Sequence, residues 1–206
     1  MKIGIMGGTF NPIHKGHLML GEYAYRNFEL DEIWFMPNGN PPHKDNPDLL
    51  DNTEVRKDMV CLAIADVPYF KLCDYEITRT GKSYSYETME HFKAIYPEHE
   101  FYFIIGADSL FSIEKWKNPE RLLKVVTMLA AYRDDADTSE VMNTQIQFLN
   151  QKYSSDIRLL QTPVLPISSQ EIRSTISAND RWTAEELMLP ETVAAYIRQH
   201  QLYKEK

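Results

Sequence analysis

The sequence is poor in cysteine, in long apolar runs and in positive charge. Its 206 residues include two cysteines, Cys61 and Cys73, which are too few for a disulfide framework and lack the spacing of metal ligands. We expect both thiols in or near an apolar core. No apolar run approaches the roughly 20 residues that a bilayer requires, and no cationic segment precedes an apolar stretch in the first residues. The sequence therefore predicts a cytoplasmic protein with no membrane partner.

The shortage of positive charge has a second consequence. The 22 basic and 30 acidic residues give a formal net charge of −8, whereas a protein that binds nucleic acid usually presents a basic face. No nucleic-acid partner is therefore expected, although a local site can still bind a small anion. With 43% hydrophobic and 25% charged residues, the composition is typical of a soluble globular protein with a buried core.

Apolar runs alternate with segments of helical periodicity along most of the chain. The runs predict strands at 2–7, 32–38, 70–77, 100–107, 125–132 and 157–163. Helical spacing predicts helices at 17–28, 54–65, 85–95 and 139–153, then short helices at 168–176, 183–188 and 190–203. This order predicts an α/β fold, a Rossmann-like doubly wound and mostly parallel sheet with a small C-terminal helical portion.

We expect a single domain over 1–206, with the α/β core at 1–165 and the helical portion at 166–206. Between the second and third predicted strands, 38–52 is rich in proline and asparagine and predicts a long loop. Ligands of doubly wound sheets bind beyond the carboxyl ends of the strands, so motifs at those ends are the candidate site.

The first predicted strand runs into GGTFNPIHKGH, residues 7–17. A strand that ends in glycines before a helix start builds an anion site, because the unpaired N–H groups and the helix dipole favour phosphate. Gly7 and Gly8 remove Cβ atoms where a polyphosphate must approach, and Thr9 adds a hydroxyl. Gly16 lets the helix start close to the ligand.

His14 and His17 lie three residues apart at this helix start, so they can share one face. Three interpretations compete: structural histidines, a zinc pair, or donors to phosphate. A zinc pair lacks a convincing third and fourth ligand in the sequence. Donors to phosphate fit best, because imidazoles at a glycine-rich helix start can stabilise charge on phosphoryl oxygens. The stretch is neither a P-loop nor a dinucleotide fingerprint.

The ten residues GTFNPIHKGH (8–17) resemble the signature of the nucleotidylyltransferase superfamily, whose T/H-x-G-H element binds ATP or CTP phosphates. The resemblance covers the glycines, the turn and both histidines. The ATP-binding residues that it implies in this motif are Gly7, Gly8, Thr9, Phe10, Gly16 and His17.

A second stretch, ISSQEIR (167–173), resembles the I-S-S-T-x-I-R element of the same superfamily, with Gln170 where a hydroxyl residue is usual. Serines before a helix can cap it and complete a second phosphate-binding N-terminus. Arg173, one turn further on, can clamp phosphate oxygens. The alternative is an ordinary capped helix with an exposed arginine. The ATP-binding residues that the resemblance implies here are Ile167, Ser168, Ser169 and Arg173.

A third stretch, IIGADS (104–109), ends a predicted strand. Gly106 would admit a ribose or an adenine edge at the carboxyl end of that strand. Asp108 can accept hydrogen bonds from ribose hydroxyls or hold a water on a metal ion, although it can also cap the next short helix. Both residues are therefore candidates for ATP binding.

Four further features resemble the bacterial nicotinate mononucleotide adenylyltransferases: PNGNPPHK (37–44), SYSYETM (83–89), IGADSLFSIEKWK (105–117) and an arginine after the next strand. The resemblance implies that Lys44 meets a phosphate, that Thr88 lies at the pyridine carboxylate and that Trp116 stacks on the pyridine ring. Arg133 is the arginine, and Asn11 completes the implied mononucleotide-binding set.

Each of these residues also has a structural alternative. Trp116 can bury an aromatic face, Thr88 can be an ordinary helix residue, and Lys44 can be a solvated loop charge. Asp134-Asp135 follows Arg133 where the family usually has Pro-Gly. The order of the four features along the chain favours the family over these alternatives.

The resemblance implies transfer of the adenylyl group of ATP to nicotinate mononucleotide, giving deamido-NAD and pyrophosphate in NAD biosynthesis. The attacking phosphate has a second pKa of about 6, so it is ionised at neutral pH and needs no general base. The implied catalytic set is His14 and His17 on the ATP phosphates, Arg173 on the leaving pyrophosphate and Lys44 on the attacking phosphate. Mg²⁺ is expected to bind through ATP phosphates and water.

Two other functions stay open from the sequence. One is a sibling adenylyltransferase that acts on nicotinamide mononucleotide or phosphopantetheine. The other is a nucleotide-binding regulator without catalytic activity. The polar helix at 139–153 can be an interface of a homo-oligomer or a solvated face.

Overall fold

The computed structural model describes residues 1–39, 52–133, 136–163 and 167–204, with side chains except at 133 and 136–138. The strands among these residues are β1 (Lys2–Gly8), β2 (Glu32–Pro37), β3 (Phe70–Leu72), β4 (Glu100–Gly106), β5 (Thr127–Arg133) and β6 (Asp156–Thr162). All neighbours pair in parallel, in the order β3-β2-β1-β4-β5-β6. The order reverses between β1 and β4, which is where such sheets bind ligands.

The helices connect the strands on both faces of the sheet. They are α1 (Lys15–Asn27), α2 (Thr53–Ile64), α3 (Tyr75–Thr78), α4 (Ser85–Ile95), α5 (Ala107–Ser112), α6 (Pro119–Val125), α7 (Ala136–Tyr153), α8 (Ser169–Ala178) and α9 (Glu191–Gln199). No helix in the described parts of the chain is both long and apolar enough to cross a membrane. The predicted α/β fold with a doubly wound parallel sheet is confirmed.

Two apolar clusters cover the two faces of the sheet. The helices α1, α2, α8 and α9 pack on one face, and α4 to α7 pack on the other. Successive residues of β4 point to opposite faces, so Tyr102 and Ile104 join the first cluster while Phe101 and Phe103 join the second. Burial on both faces explains why central strands such as β1 and β4 read as nearly continuous apolar runs.

Two of the predicted elements are wrong. The strand predicted at 70–77 ends at Leu72, and 75–78 forms the short helix α3. The pattern misled because Glu76, which reads as the polar side of a strand, is buried and accepts a hydrogen bond from the Thr88 hydroxyl. The helix predicted at 183–188 forms turns at 184–188, and Met188 lies in the left-handed region with φ of 50°.

Candidate active site

The turn between β1 and α1 forms the floor of the candidate site. Phe10 lies in the left-handed region with φ of 48°, and the Asn11–Pro12 peptide bond is cis. A Cβ on Gly8 would lie 2.9 Å from the buried Phe10 ring. A Cβ on Gly16 would lie 3.0 Å from the His14 ring, so this glycine makes room for a histidine rather than for a ligand alone. The glycines therefore allow the close packing on which the turn depends.

The two histidines lie side by side at the start of α1, with ring centroids 3.8 Å apart. The backbone N–H of His14 donates to Nδ1 of the His17 ring at 3.2 Å. A neutral His17 therefore carries its proton on Nε2. Burial lowers the pKa of His14 to about 4. Burial, followed by the proximity of His14, holds the pKa of His17 well below its usual value. Both imidazoles are therefore neutral at pH 7.

Two cavities open at the carboxyl ends of the strands. The larger, about 590 Å³, is lined by residues of all three ATP motifs, among them His14, Gly16, His17, Gly106, Asp108, Ile167, Ser168 and Ser169. The smaller, about 350 Å³, is lined among others by Gly7, His17, Asn38, Ser85, Gly106 and Trp116. His17 and Gly106 border both cavities, so a ligand in one would meet a ligand in the other there. Among the residues that the structure describes, nothing lies within 4 Å of a Cβ placed on Gly106.

The second predicted motif starts α8 and is tied to the first. The Ser168 hydroxyl caps this helix, accepting from the Glu171 N–H at 3.2 Å. The Ser169 hydroxyl donates to the Pro12 carbonyl oxygen at 2.9 Å, and Nη1 of Arg173 donates to the Asn11 carbonyl oxygen at 2.7 Å. Ser169 and Arg173 thus orient the turn in addition to any contact with phosphate.

A buried arginine of this site was not predicted from the sequence. Arg56 of α2 is fully buried and donates to the carbonyl oxygens of Thr9 at 2.9 Å and Asn38 at 2.8 Å. It thereby joins the segments that follow β1 and β2. Its position three and four residues before the buried Met59 and Val60 put it on the apolar side of the helix, which was the available signal.

Asn11, one of the five residues predicted to bind the mononucleotide, lies in the turn described above, and the other four divide into three groups. Trp116 lines the smaller cavity, with its ring edge-on to Phe103 at a centroid distance of 6.5 Å. Thr88 is fully buried, and its hydroxyl donates to Glu76 at 2.9 Å rather than facing the cavity. Lys44 lies outside the described residues, as does the side chain of Arg133 at the end of β5.

The described residues contain no group of three or more histidine, cysteine, aspartate or glutamate side chains that could hold a metal ion. Within that part of the chain, the histidine pair therefore lacks further metal ligands. Asp108 brings a carboxylate to the edge of the larger cavity and is exposed.

Comparison with known proteins agrees with this geometry. The chain matches the cytidylyltransferase-like family model over residues 5–175. It is 42% identical over 202 residues to a probable nicotinate-nucleotide adenylyltransferase of Lachnoclostridium phytofermentans, with 98% of each chain covered. It is 39% identical over 202 residues to a protein of the same name from Oceanobacillus iheyensis, covering 98% of this chain and 96% of the other.

A similar fold occurs in the structure of Plasmodium falciparum nicotinic acid mononucleotide adenylyltransferase complexed with NaAD. The TM-score is 0.77 at 21% sequence identity, with 98% of this chain and 97% of the other covered. The matches to the two relatives and to this structure each cover 98% of the chain. The chain therefore belongs to the cytidylyltransferase-like family and, within it, to the nicotinate-nucleotide adenylyltransferases, as the resemblance predicted.

Proposed function

We propose that the protein transfers the adenylyl group of ATP to nicotinate mononucleotide and forms deamido-NAD and pyrophosphate in NAD biosynthesis. One observation carries this proposal: two cavities meet at His17 and Gly106, at the point where the strand order of the sheet reverses. A transfer between two nucleotides requires two such pockets with the reacting phosphorus between them. The names of the relatives support the same pair of substrates.

ATP occupies the larger cavity in this proposal. The ribose lies against Gly106 and the Asp108 carboxylate, and the phosphates lie between the starts of α1 and α8. Both helix N-termini favour negative charge there. Arg173, from α8, is assigned to the leaving pyrophosphate while Nη1 holds the Asn11 carbonyl oxygen. Thr9 and Phe10 belong to the turn that the phosphates approach.

The histidines act as neutral donors in this mechanism. Because Nδ1 of His17 accepts from the backbone, its Nε2–H is the end that can reach a phosphoryl oxygen. Fixed donors stabilise charge that develops on the α-phosphate without reorganising during the reaction. A neutral imidazole donates this hydrogen bond without transferring its proton to the phosphate. Since the attacking phosphate is already ionised, positioning and these donors suffice.

Nicotinate mononucleotide occupies the smaller cavity. Trp116 offers its face to the pyridinium ring, and the start of α4 at Ser85 offers N–H groups to the pyridine carboxylate. Thr88, in the first turn of this helix, contributes by binding the buried Glu76 carboxylate. On the basis of the family resemblance, we assign Lys44 to the attacking phosphate, and Asn11 and Arg133 to the mononucleotide.

A divalent metal, which we propose to be Mg²⁺, accompanies ATP. The donor set fits a metal carried by the nucleotide: Asp108 supplies one carboxylate at the larger cavity, and magnesium needs few protein ligands because it keeps its waters. Asp108 would accept from such a water. When bound, the metal neutralises charge on the phosphates.

Pyrophosphate release tests the proposal. Purified protein is incubated with ATP and, in parallel, nicotinate mononucleotide, nicotinamide mononucleotide or phosphopantetheine. The expected result is fastest release with nicotinate mononucleotide. Release with phosphopantetheine alone would refute the acceptor, faster release with the amide would refute the acid preference, and no release with any of the three would favour the regulator.

A further inference from the structure

The segment after α9 returns to the turn between β1 and α1. The Tyr203 hydroxyl donates to Oδ1 of Asn11 at 2.6 Å and also approaches the Met59 sulfur at 3.9 Å. Tyr203 itself has φ of 65°, in the left-handed region that a tyrosine adopts only when its surroundings hold it there. The backbone of this segment is thus set so that the phenol reaches Asn11.

Asn11 is held at both of its oxygen atoms. Its carbonyl oxygen accepts from Nη1 of Arg173 at 2.7 Å, and its side-chain oxygen accepts from Tyr203. The neighbouring carbonyl oxygens of Thr9 and Pro12 accept from Arg56 and Ser169 in the same way. Each of these donors comes from outside the turn, so the turn keeps its shape through contacts with α2, α8 and the segment after α9.

The hydrogen bond from Tyr203 also orients the Asn11 amide. An amide group is planar, with the oxygen on one side and two N–H donors on the other. With the oxygen directed at the phenol, the N–H donors point away from Tyr203. Burial raises the pKa of Tyr203, despite the opposing effect of Arg173 and Arg56, so the phenol keeps its proton and donates at neutral pH.

We propose that Tyr203 is a positioning residue for the mononucleotide half of the site, acting through the side-chain amide of Asn11. This inference rests on the proposed function, in which the family resemblance assigns Asn11 to the mononucleotide. Without the phenol hydroxyl the amide rotates about its side-chain bonds, and its N–H donors spend less time in the orientation that meets the mononucleotide. The loss should fall on mononucleotide binding rather than on ATP binding.

The test compares Tyr203→Phe with Tyr196→Phe by steady-state kinetics. Loss of one net hydrogen bond predicts a rise of about three- to tenfold in KM for the mononucleotide in Tyr203→Phe, with KM for ATP unchanged. Tyr196, on α9, is the matched control, because its hydroxyl donates to Asp58 at 2.9 Å and lies outside the turn. Tyr196→Phe should leave both KM values at the wild-type level.

A double-mutant cycle with Asn11→Ala separates positioning from general weakening of the fold. If Tyr203 acts through Asn11, Tyr203→Phe adds no further rise in KM once Asn11 is alanine. A second, additive rise would overturn the inference, as would equal rises in KM for ATP and mononucleotide or wild-type values in Tyr203→Phe.

The cycle uses whichever acceptor gives the fastest pyrophosphate release with the wild-type protein. A different preferred acceptor would therefore revise the proposed substrate and leave the cycle valid. An inactive wild type would overturn the proposed function and this inference together, whereas an active wild type with unaltered Tyr203→Phe would overturn this inference alone.

Discussion

At the scale of single residues, the imidazole of His17 is the most direct probe of the reaction. We expect His17→Ala to lower kcat by about 100-fold or more, because a fixed donor to developing charge contributes on that order. The variant should still fold with a moderately lower melting temperature, because His17 contributes one backbone hydrogen bond and ring contacts with Phe10 and His14. The rate of pyrophosphate release measures turnover, and His200→Ala is the control because His200 is an exposed histidine just after α9. Comparable turnover in the two variants would remove His17 from the mechanism.

Trp116 probes the other substrate. Stacking of an aromatic side chain on a base is worth about 1–3 kcal/mol, so Trp116→Ala should raise KM for nicotinate mononucleotide by roughly 5- to 150-fold. KM for ATP should not change, because Trp116 lines only the smaller of the two described cavities. Trp182→Ala is the control, since Trp182 packs against the Arg198 guanidinium outside both cavities. Parallel losses for ATP and mononucleotide would argue against stacking.

The buried histidine His14 links stability to pH. Its pKa is about 4 in the folded protein against 6.5 ordinarily, so between these values the unfolded chain binds a proton that the folded chain does not. The folding stability that comes from this difference in pKa is complete above pH 6.5. Up to about 3 kcal/mol of it is lost as the pH falls towards 4. Urea unfolding at pH 7.5, 6 and 5 should show a steeper decline for the wild type than for His14→Asn. Parallel declines would contradict the prediction.

At the scale of secondary-structure elements, Arg56 joins α2 to the segments after β1 and β2. Arg56→Met leaves the Thr9 and Asn38 carbonyl oxygens without this donor, so we expect a loss of about 2–4 kcal/mol in the free energy of unfolding. Urea unfolding measures it. Lys57→Met, the next residue of the same helix with an exposed pair to Glu54, should be close to wild type. An Arg56→Met protein as stable as Lys57→Met would show that these bonds contribute nothing net.

Elements with a strong apolar period could be predicted from the sequence. The strands β1 and β4 are predicted to within one residue at either end, because burial on both faces demands an apolar run. The three-residue edge strand β3 could not be bounded, since its ladder ends at the bond from the Cys73 N–H to the Phe35 carbonyl oxygen. Where that ladder ends depends on a neighbouring strand, which local pattern does not reveal.

The residues of the candidate site likewise include some that the sequence predicts and some that it does not. His14 and His17 were predicted because chemistry and spacing coincide in one short stretch. The turn contacts of Arg56 and Tyr203 were not predicted, because no sequence motif marks either residue. Both donate to oxygen atoms of residues that are distant in the sequence. The buried hydroxyl of Thr88 was assigned to a ligand by resemblance, whereas its partner is Glu76.

At the scale of the whole molecule, the C-terminal helices share a core with the sheet. Ile172 of α8 and Val193 of α9 lie in the same apolar cluster as Ile33 and Phe35 of β2. We propose on this basis that 1–206 forms one domain, with 166–206 as its helical portion. The cytoplasmic location and a homo-oligomer remain predictions from the sequence.

The bonds that hold the 9–12 turn have a consequence for the order of synthesis. Ser169 follows Pro12 by 157 positions, Arg173 follows Asn11 by 162, and Tyr203 follows Asn11 by 192. A ribosome therefore releases the turn long before it makes these donors, and contacts this distant in sequence form late. We expect a nascent chain to complete the six described strands before the turn has all of the contacts that hold it. The ability to hold ATP is then acquired after the sheet has formed, when α8 and the segment beyond α9 close over the turn.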